Sequence, residues 1–144
     1  NLLIGERTAE QIKINVGSAL TFLENPPDDY PVNGRDLMTG IPKQIKIHYA
    51  EVAEAINKSV AKIEEAVLRA LENTPPELAS DIYKTGLYLT GGGALLRGLD
   101  KRISAKTALP VHVADDPLRA VVRGTGIALK NTDRFSFLID RRSM

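Results

Sequence analysis

The apolar positions of this chain fall into runs whose spacing predicts helices and strands in a definite order. Between residues 50 and 72, Val52, Ile56, Val60, Ile63, Val67 and Leu71 recur every three or four places, the period of one helical face. Glu54 with Lys58 and Glu65 with Arg69 form favourable pairs four apart on the outer side. A coiled coil would carry the same stripe, but the run spans about three heptads, so a helix packed on a sheet fits better. Upstream, Thr8 to Gly17 predicts a shorter helix. Thr8 is its expected N-cap, Gln11 completes a capping box, and Ile12, Val16 and Ala19 form the buried stripe. The opening Asn1-Leu2-Leu3-Ile4-Gly5 reads as the end of a helix closed by glycine, so the chain is expected to begin inside an element.

Residues 24–44 change character. Asn25-Pro26-Pro27-Asp28-Asp29 is a turn or exposed loop, and Asn33-Gly34 is a hairpin-turn signal. Gly40-Ile41-Pro42 breaks the chain again, and Ile45-Lys46-Ile47-His48 alternates like a strand. This region reads as short antiparallel strands of a small lobe. Beyond residue 72 the order becomes helix, strand, glycine loop, helix, strand, helix. Thr74 is expected to cap a helix with proline at its first position. Leu87-Tyr88-Leu89 and Val111-His112-Val113 are short strands, and a helix runs through Leu96, Leu99 and Ile103. Asp116 and Pro117 are expected to start a last helix, Leu118 to Leu129. This alternation predicts an α/β lobe with largely parallel pairing. Gly124 and Gly126 lie inside the last helix, where each costs about 1 kcal/mol against alanine. Close packing against a strand is the expected compensation.

Composition narrows the chemistry. There is no cysteine, which removes disulfides and thiolate zinc sites, and the two histidines, His48 and His112, lie far apart. No apolar run approaches the roughly 20 residues of a membrane helix. A net charge of +1 and 5% aromatic residues argue against a nucleic-acid partner. Charge is split along the chain: residues 1–72 carry 8 basic and 11 acidic side chains, residues 73–144 carry 11 and 7. Such a split is either two solvated faces or a self-complementary surface able to stack head to tail.

Gly91-Gly92-Gly93, between a strand and a helix, is the strongest chemical signal. Glycines let a ligand approach the backbone, and free N–H groups there suit a phosphate. The run fits neither the P-loop nor the dinucleotide pattern, and a plain tight turn is the competing reading. Glu10 and Lys13 lie three apart on one helical side and could reach a ribose or phosphate, or simply face solvent. No nucleophile, base and orienting group come together, so no catalytic residue is assigned.

Leu89-Thr90-Gly91-Gly92-Gly93-Ala94-Leu95-Leu96-Arg97-Gly98-Leu99-Asp100 resembles the adenosine motif of the actin superfamily, in the form found in MreB bacterial actin homologues. Ile4 to Glu10, Asn33 to Leu37, Thr74 to Ile82 and Ala114 to Leu118 resemble further stretches of that family in the same order. The resemblance runs from about Leu3 to about Leu129. It implies the C-terminal half of an actin-like, ribonuclease H-like α/β fold, with a small α+β lobe inserted before an α/β lobe. Residues 1–50 would be the small lobe (subdomain IIB, partial), 51–130 part of the large lobe (subdomain IIA), and 131–144 a C-terminal tail beyond the resemblance, whose own apolar residues Phe135, Phe137, Leu138 and Ile139 predict docking.

By the same resemblance Gly91, Gly92, Gly93 and Ala94 contact a nucleotide, and Glu10, Gln11, Ile12 and Lys13 lie over its ribose and base. Where family members often carry a glutamate, this chain has Asn15, which can bond a ribose hydroxyl but brings no charge. The cofactor implied is ATP with Mg²⁺, the metal's ligands lying mostly in the N-terminal half. The function implied is that of a rod-shape-determining cytoskeletal ATPase, cytoplasmic and peripheral at the inner face of the membrane. Its partners would be further copies of itself in a filament, the membrane through the N-terminal half, and the cell-wall elongation machinery with its transmembrane adaptors. Sugar kinases and heat-shock chaperones share the glycine loop and are the alternative, with a purely structural module as a third reading.

Overall fold

The computed structural model describes residues 1–136. The elements in chain order are β1 (Leu2–Leu3), α1 (Glu6–Val16), β2 (Tyr30–Asp36), β3 (Pro42–Ile47), α2 (Tyr49–Glu72), α3 (Pro76–Thr85), β4 (Leu87–Leu89), α4 (Leu99–Thr107), β5 (Val111–Val113) and α5 (Ala120–Lys130). A single 3₁₀ turn, Gly92–Leu95, follows β4. The first three strands form an antiparallel sheet in the order β1-β2-β3, and β4 and β5 pair in parallel. The antiparallel pairing expected of the first part and the parallel pairing expected of the second are both present.

Two apolar clusters hold these layers. Ile12, Val16, Val32, Tyr49 and Val52 bury one face of the antiparallel sheet under α1 and the start of α2. Ala19, Val60, Leu99 and Ile103 make the second, with Leu87, Leu89 and Val111 of the parallel pair packed on it. The 24-residue α2 thus contributes to both clusters: Tyr49 and Val52 to the first, Val60 and Val67 to the second, and Ile56 to both. The N-terminus of α2 is tied by Glu51, whose carboxylate accepts the His48 N–H at 2.9 Å, while His48 Nδ1 accepts from Ala50 N–H at 3.3 Å. On its exposed side Arg69 pairs with Glu65 at 2.6 Å as expected.

Several local expectations give way to longer-range packing. Leu2 and Leu3 are a strand paired with Asp36 and Arg35, not the end of a helix, because β2 offers them a ladder. Asn33-Gly34 is no turn: it lies inside β2, paired with Gln44 and Lys43. An ideal Cβ on Gly34 would stand 2.6 Å from the Leu3 carbonyl oxygen, so glycine there lets β1 cross closely. The hairpin turns instead at residues 37–41, where Gly40 takes φ +72. Thr8 sits within α1, which starts at Gly5 without a side-chain cap. Thr74 donates its hydroxyl to Ala70 O at 2.7 Å and so closes α2 rather than opening α3. Pro76 does occupy the first turn of α3. Asp116 does not cap α5: it adopts left-handed φ +49, and the helix begins only at Ala120. The packing expected at Gly124 and Gly126 is absent among the described residues, since a Cβ on either would meet nothing within 4 Å. Of the tail, Phe135 is half-buried, and Phe137, Leu138 and Ile139 lie outside the described residues.

The true hairpin turn has an electrostatic signature. The Asp36 carboxylate accepts Met38 N–H at 2.8 Å and Thr39 N–H at 3.1 Å, and pairs with Lys43 Nζ at 3.3 Å. These contacts, the two backbone bonds first, hold its acidity below the ordinary carboxylate value. Because the charged form is the one favoured, the turn is supported above about pH 4 and loses that support as pH falls through the lowered value. The amide proton shifts of Met38 and Thr39 should therefore titrate together, with a midpoint below about 4. A midpoint at or above the ordinary value in an NMR titration would contradict this arrangement.

Candidate functional site

The two short parallel strands end side by side, and both loops that follow them lie at the carboxyl edge of the pair. In α/β sheets this edge is where ligands bind, because helix starts and free backbone groups gather there. After β4, Gly91 adopts φ 79 and ψ 178, a region open to glycine alone. Its N–H donates to Pro117 O at 2.7 Å, and Ala114 N–H donates to Leu89 O at 3.0 Å, so the loop after β4 and the loop after β5 are laced together. Ala94 N–H closes the turn on Gly91 O at 3.2 Å, and Leu96 N–H closes on Gly93 O at 3.1 Å. Gly92 and Gly93 are the first residues of that turn, so their N–H groups have no partner within it. A Cβ on Gly91 or Gly93 would meet no atom within 4 Å, which leaves the loop's outer side open. Ala94 is buried and anchors the turn from below.

The second candidate segment is α1. Ile12 is 6% exposed and belongs to the core with Val16, so its side chain holds the helix in place. At about 100° per residue, Glu10 and Lys13 share one flank of that stripe and Gln11 takes the other. Gln11 borders a shallow groove with Arg7, Thr8, Tyr30 and Asn33, on the side of the antiparallel sheet. The Asn15 amide donates to Gln11 O at 2.8 Å, a contact within its own helix.

The structure brings the end of α1 against the glycine turn's exit. Gly17 N–H donates to Lys13 O at 2.9 Å, Ala19 N–H donates to Arg97 O at 2.8 Å, and Ser18 bridges to Arg97 in parallel. Ser18 is fully buried, its hydroxyl donating to Leu20 O at 2.7 Å and accepting from Leu20 N–H at 3.0 Å. The sequence reading missed the part played by Pro117 and Leu118. Pro117 O fixes Gly91, and Leu118 Cδ2 would lie 3.5 Å from a Cβ on Gly92. Their signal was present as a turn after a second strand, but Asp116 was spent on a helix cap. A groove of about 690 Å³ between α2 and α4 borders none of the eight candidate residues. Among the described residues no group of His, Asp and Glu is placed to hold a metal ion, and no helix is long and apolar enough to cross a membrane.

Residues 1–136 match the family model described as MreB/Mbl protein. The chain belongs to the MreB/Mbl family. It is 47% identical over 133 residues to the cell shape-determining protein Mbl of Bacillus subtilis, covering 92% of this chain and 39% of that protein. It is 47% identical over 131 residues to the cell shape-determining protein MreB of Escherichia coli, covering 91% of this chain and 37% of that one. Among solved structures it resembles MreB5 of Spiroplasma citri bound to ADP, with TM-score 0.84 and 39% identity over 92% of this chain and 40% of the other. The chain therefore spans about two fifths of the length of its MreB and Mbl relatives. The fold is the actin-like one expected, and the open turn after β4 lies within the Leu89 to Asp100 stretch that carries the sequence resemblance.

Proposed function

We propose that the protein carrying this chain is a shape-determining actin-like ATPase that binds adenine nucleotide at residues 91–94. The observation that carries this reading is the turn at the carboxyl edge of the parallel pair. It has an open outer side and two N–H groups without a partner inside the turn, in a chain similar to an MreB5 solved with ADP. Such a surface suits a phosphate or ribose oxygen because nothing but backbone stands in the way. Gly91, Gly92, Gly93 and Ala94 hold the nucleotide from below, and Glu10 and Lys13 approach it from α1. Ile12 serves by fixing α1 on the sheet, and Gln11 lies on the opposite flank at the sheet-side groove. The nucleotide supplies the energy of phosphate-bond hydrolysis when bound, and the chain's own residues position it.

The groups that orient the water attacking the γ-phosphate and hold Mg²⁺ belong to the N-terminal part in this reading. The chain alone is therefore expected to hydrolyse no ATP, and phosphate release above background from residues 1–144 would refute that. The full-length protein assembles into filaments at the inner face of the membrane and guides wall synthesis. The names of its relatives support the shape-determining role, and the opposite charge of the two halves of this chain supports self-assembly. Calorimetric titration of the full-length protein with ATP tests nucleotide binding. Electron microscopy of the ATP-treated protein tests assembly, and the absence of filaments would defeat that part of the reading.

A further inference from the structure

We infer that Arg102 is a positioning residue for the nucleotide site, acting through the peptide group of Ala19; the inference rests on the nucleotide reading above. Arg102 lies on α4, just beyond the glycine turn. Its Nε donates to Glu64 Oε1 at 2.7 Å and its Nη2 to Glu64 Oε2 at 3.3 Å, a two-pronged pair with α2. Its remaining terminal nitrogen, Nη1, donates to Ala19 O at 3.0 Å. The Arg102 and Glu64 side chains are only 19% and 13% exposed, which separates this pair from the other ion pairs, each with a partner at least 44% exposed.

Ala19 is held at both ends of its backbone. Its N–H goes to Arg97 O and its C=O receives Arg102. Residues 97 and 102 flank the start of α4, and Ala19 lies three residues past the end of α1. The distance from α1, with Glu10 and Lys13, to the glycine turn is therefore set by this double attachment. Glu64 receives two of the guanidinium's nitrogens from α2, and the third reaches Ala19 O. The guanidinium serves three acceptors at once because its donors are fixed in a plane; a lysine ammonium is a compact point on a flexible stem.

Two variants of the full-length protein separate positioning from stability. Arg102→Lys keeps the charge opposite Glu64 but cannot also hold Ala19 O, so the ATP dissociation constant should rise about threefold to tenfold. Faster amide hydrogen exchange at Ala19 and Leu20 should accompany it. Glu64→Gln leaves the Arg102 to Ala19 bond in place and removes a buried counter-charge. It should lower the melting temperature while leaving ATP affinity within about twofold. An unchanged dissociation constant in Arg102→Lys overturns the inference, as does a loss of affinity that follows melting temperature equally in both variants. A wild-type protein that binds no ATP overturns the nucleotide reading and this inference with it; one that binds ATP while Arg102→Lys matches it overturns this inference alone.

Discussion

Gly86→Ala is expected to destabilise the fold strongly, through backbone strain and a backbone clash together. Gly86 joins α3 to β4 with φ 78 and ψ −171, a combination essentially closed to residues with a Cβ. A Cβ there would also lie 2.5 Å from Pro110 O and 3.0 Å from Pro110 Cβ. Neither atom can retreat, since Pro110 O accepts Leu87 N–H at 2.8 Å, the bond that starts the parallel pairing. Backbone strain and a backbone clash therefore add, for a cost of about 3 kcal/mol or more. The melting temperature of the full-length protein should fall by roughly 4–5 °C. Gly40→Ala is the control: Gly40 also has positive φ, but its Cβ would meet nothing, so only about 1 kcal/mol is expected. Equal losses at the two positions would show that the Pro110 clash plays no part.

The same glycine shows what a sequence can and cannot disclose. Elements whose burial follows a single period were readable: α2 from its stripe, and β4 and β5 from short apolar runs between breakers. Positions decided by a partner far along the chain were not. Gly34 carries the signal of a hairpin turn, but the nearby Leu3 carbonyl makes it a strand residue, and that neighbour lies 31 positions away. Leu2 and Leu3 have no strand pattern of their own and pair only because β2 has a free edge. Asp116 and Pro117 look like a helix start, but Pro117 O is taken by Gly91, which holds the segment in a turn and delays α5 to Ala120. The glycine turn was legible as a candidate site because three glycines between a strand and a helix have few other uses. The lacing to residues 114–118 and the Arg102 contact were not legible, because both join residues across the fold by single hydrogen bonds that leave no pattern.

That distinction shapes the sharpest test of the site, Gly92→Val in the full-length protein. Gly92 does not have a left-handed φ, and its Cβ would meet only Leu118 Cδ2, at 3.5 Å, an ordinary contact. The folded chain can therefore accept a side chain here, at a cost near that of exposed surface substitutions, about 0.5 kcal/mol. A nucleotide cannot accept it on the reading above, because the added methyl groups stand where its oxygens approach the backbone. ATP affinity is expected to fall by at least about tenfold, or about 1.4 kcal/mol, with the melting temperature nearly unchanged. Gly91→Ala should behave in the opposite order, because the glycine-only conformation is lost first: stability falls by about 1–3 kcal/mol and binding falls with it. The pair separates a glycine kept for its backbone angle from one kept for the space in front of it. Calorimetric titration that finds Gly92→Val binding ATP like the wild type would mean that the run is a turn and the nucleotide sits elsewhere.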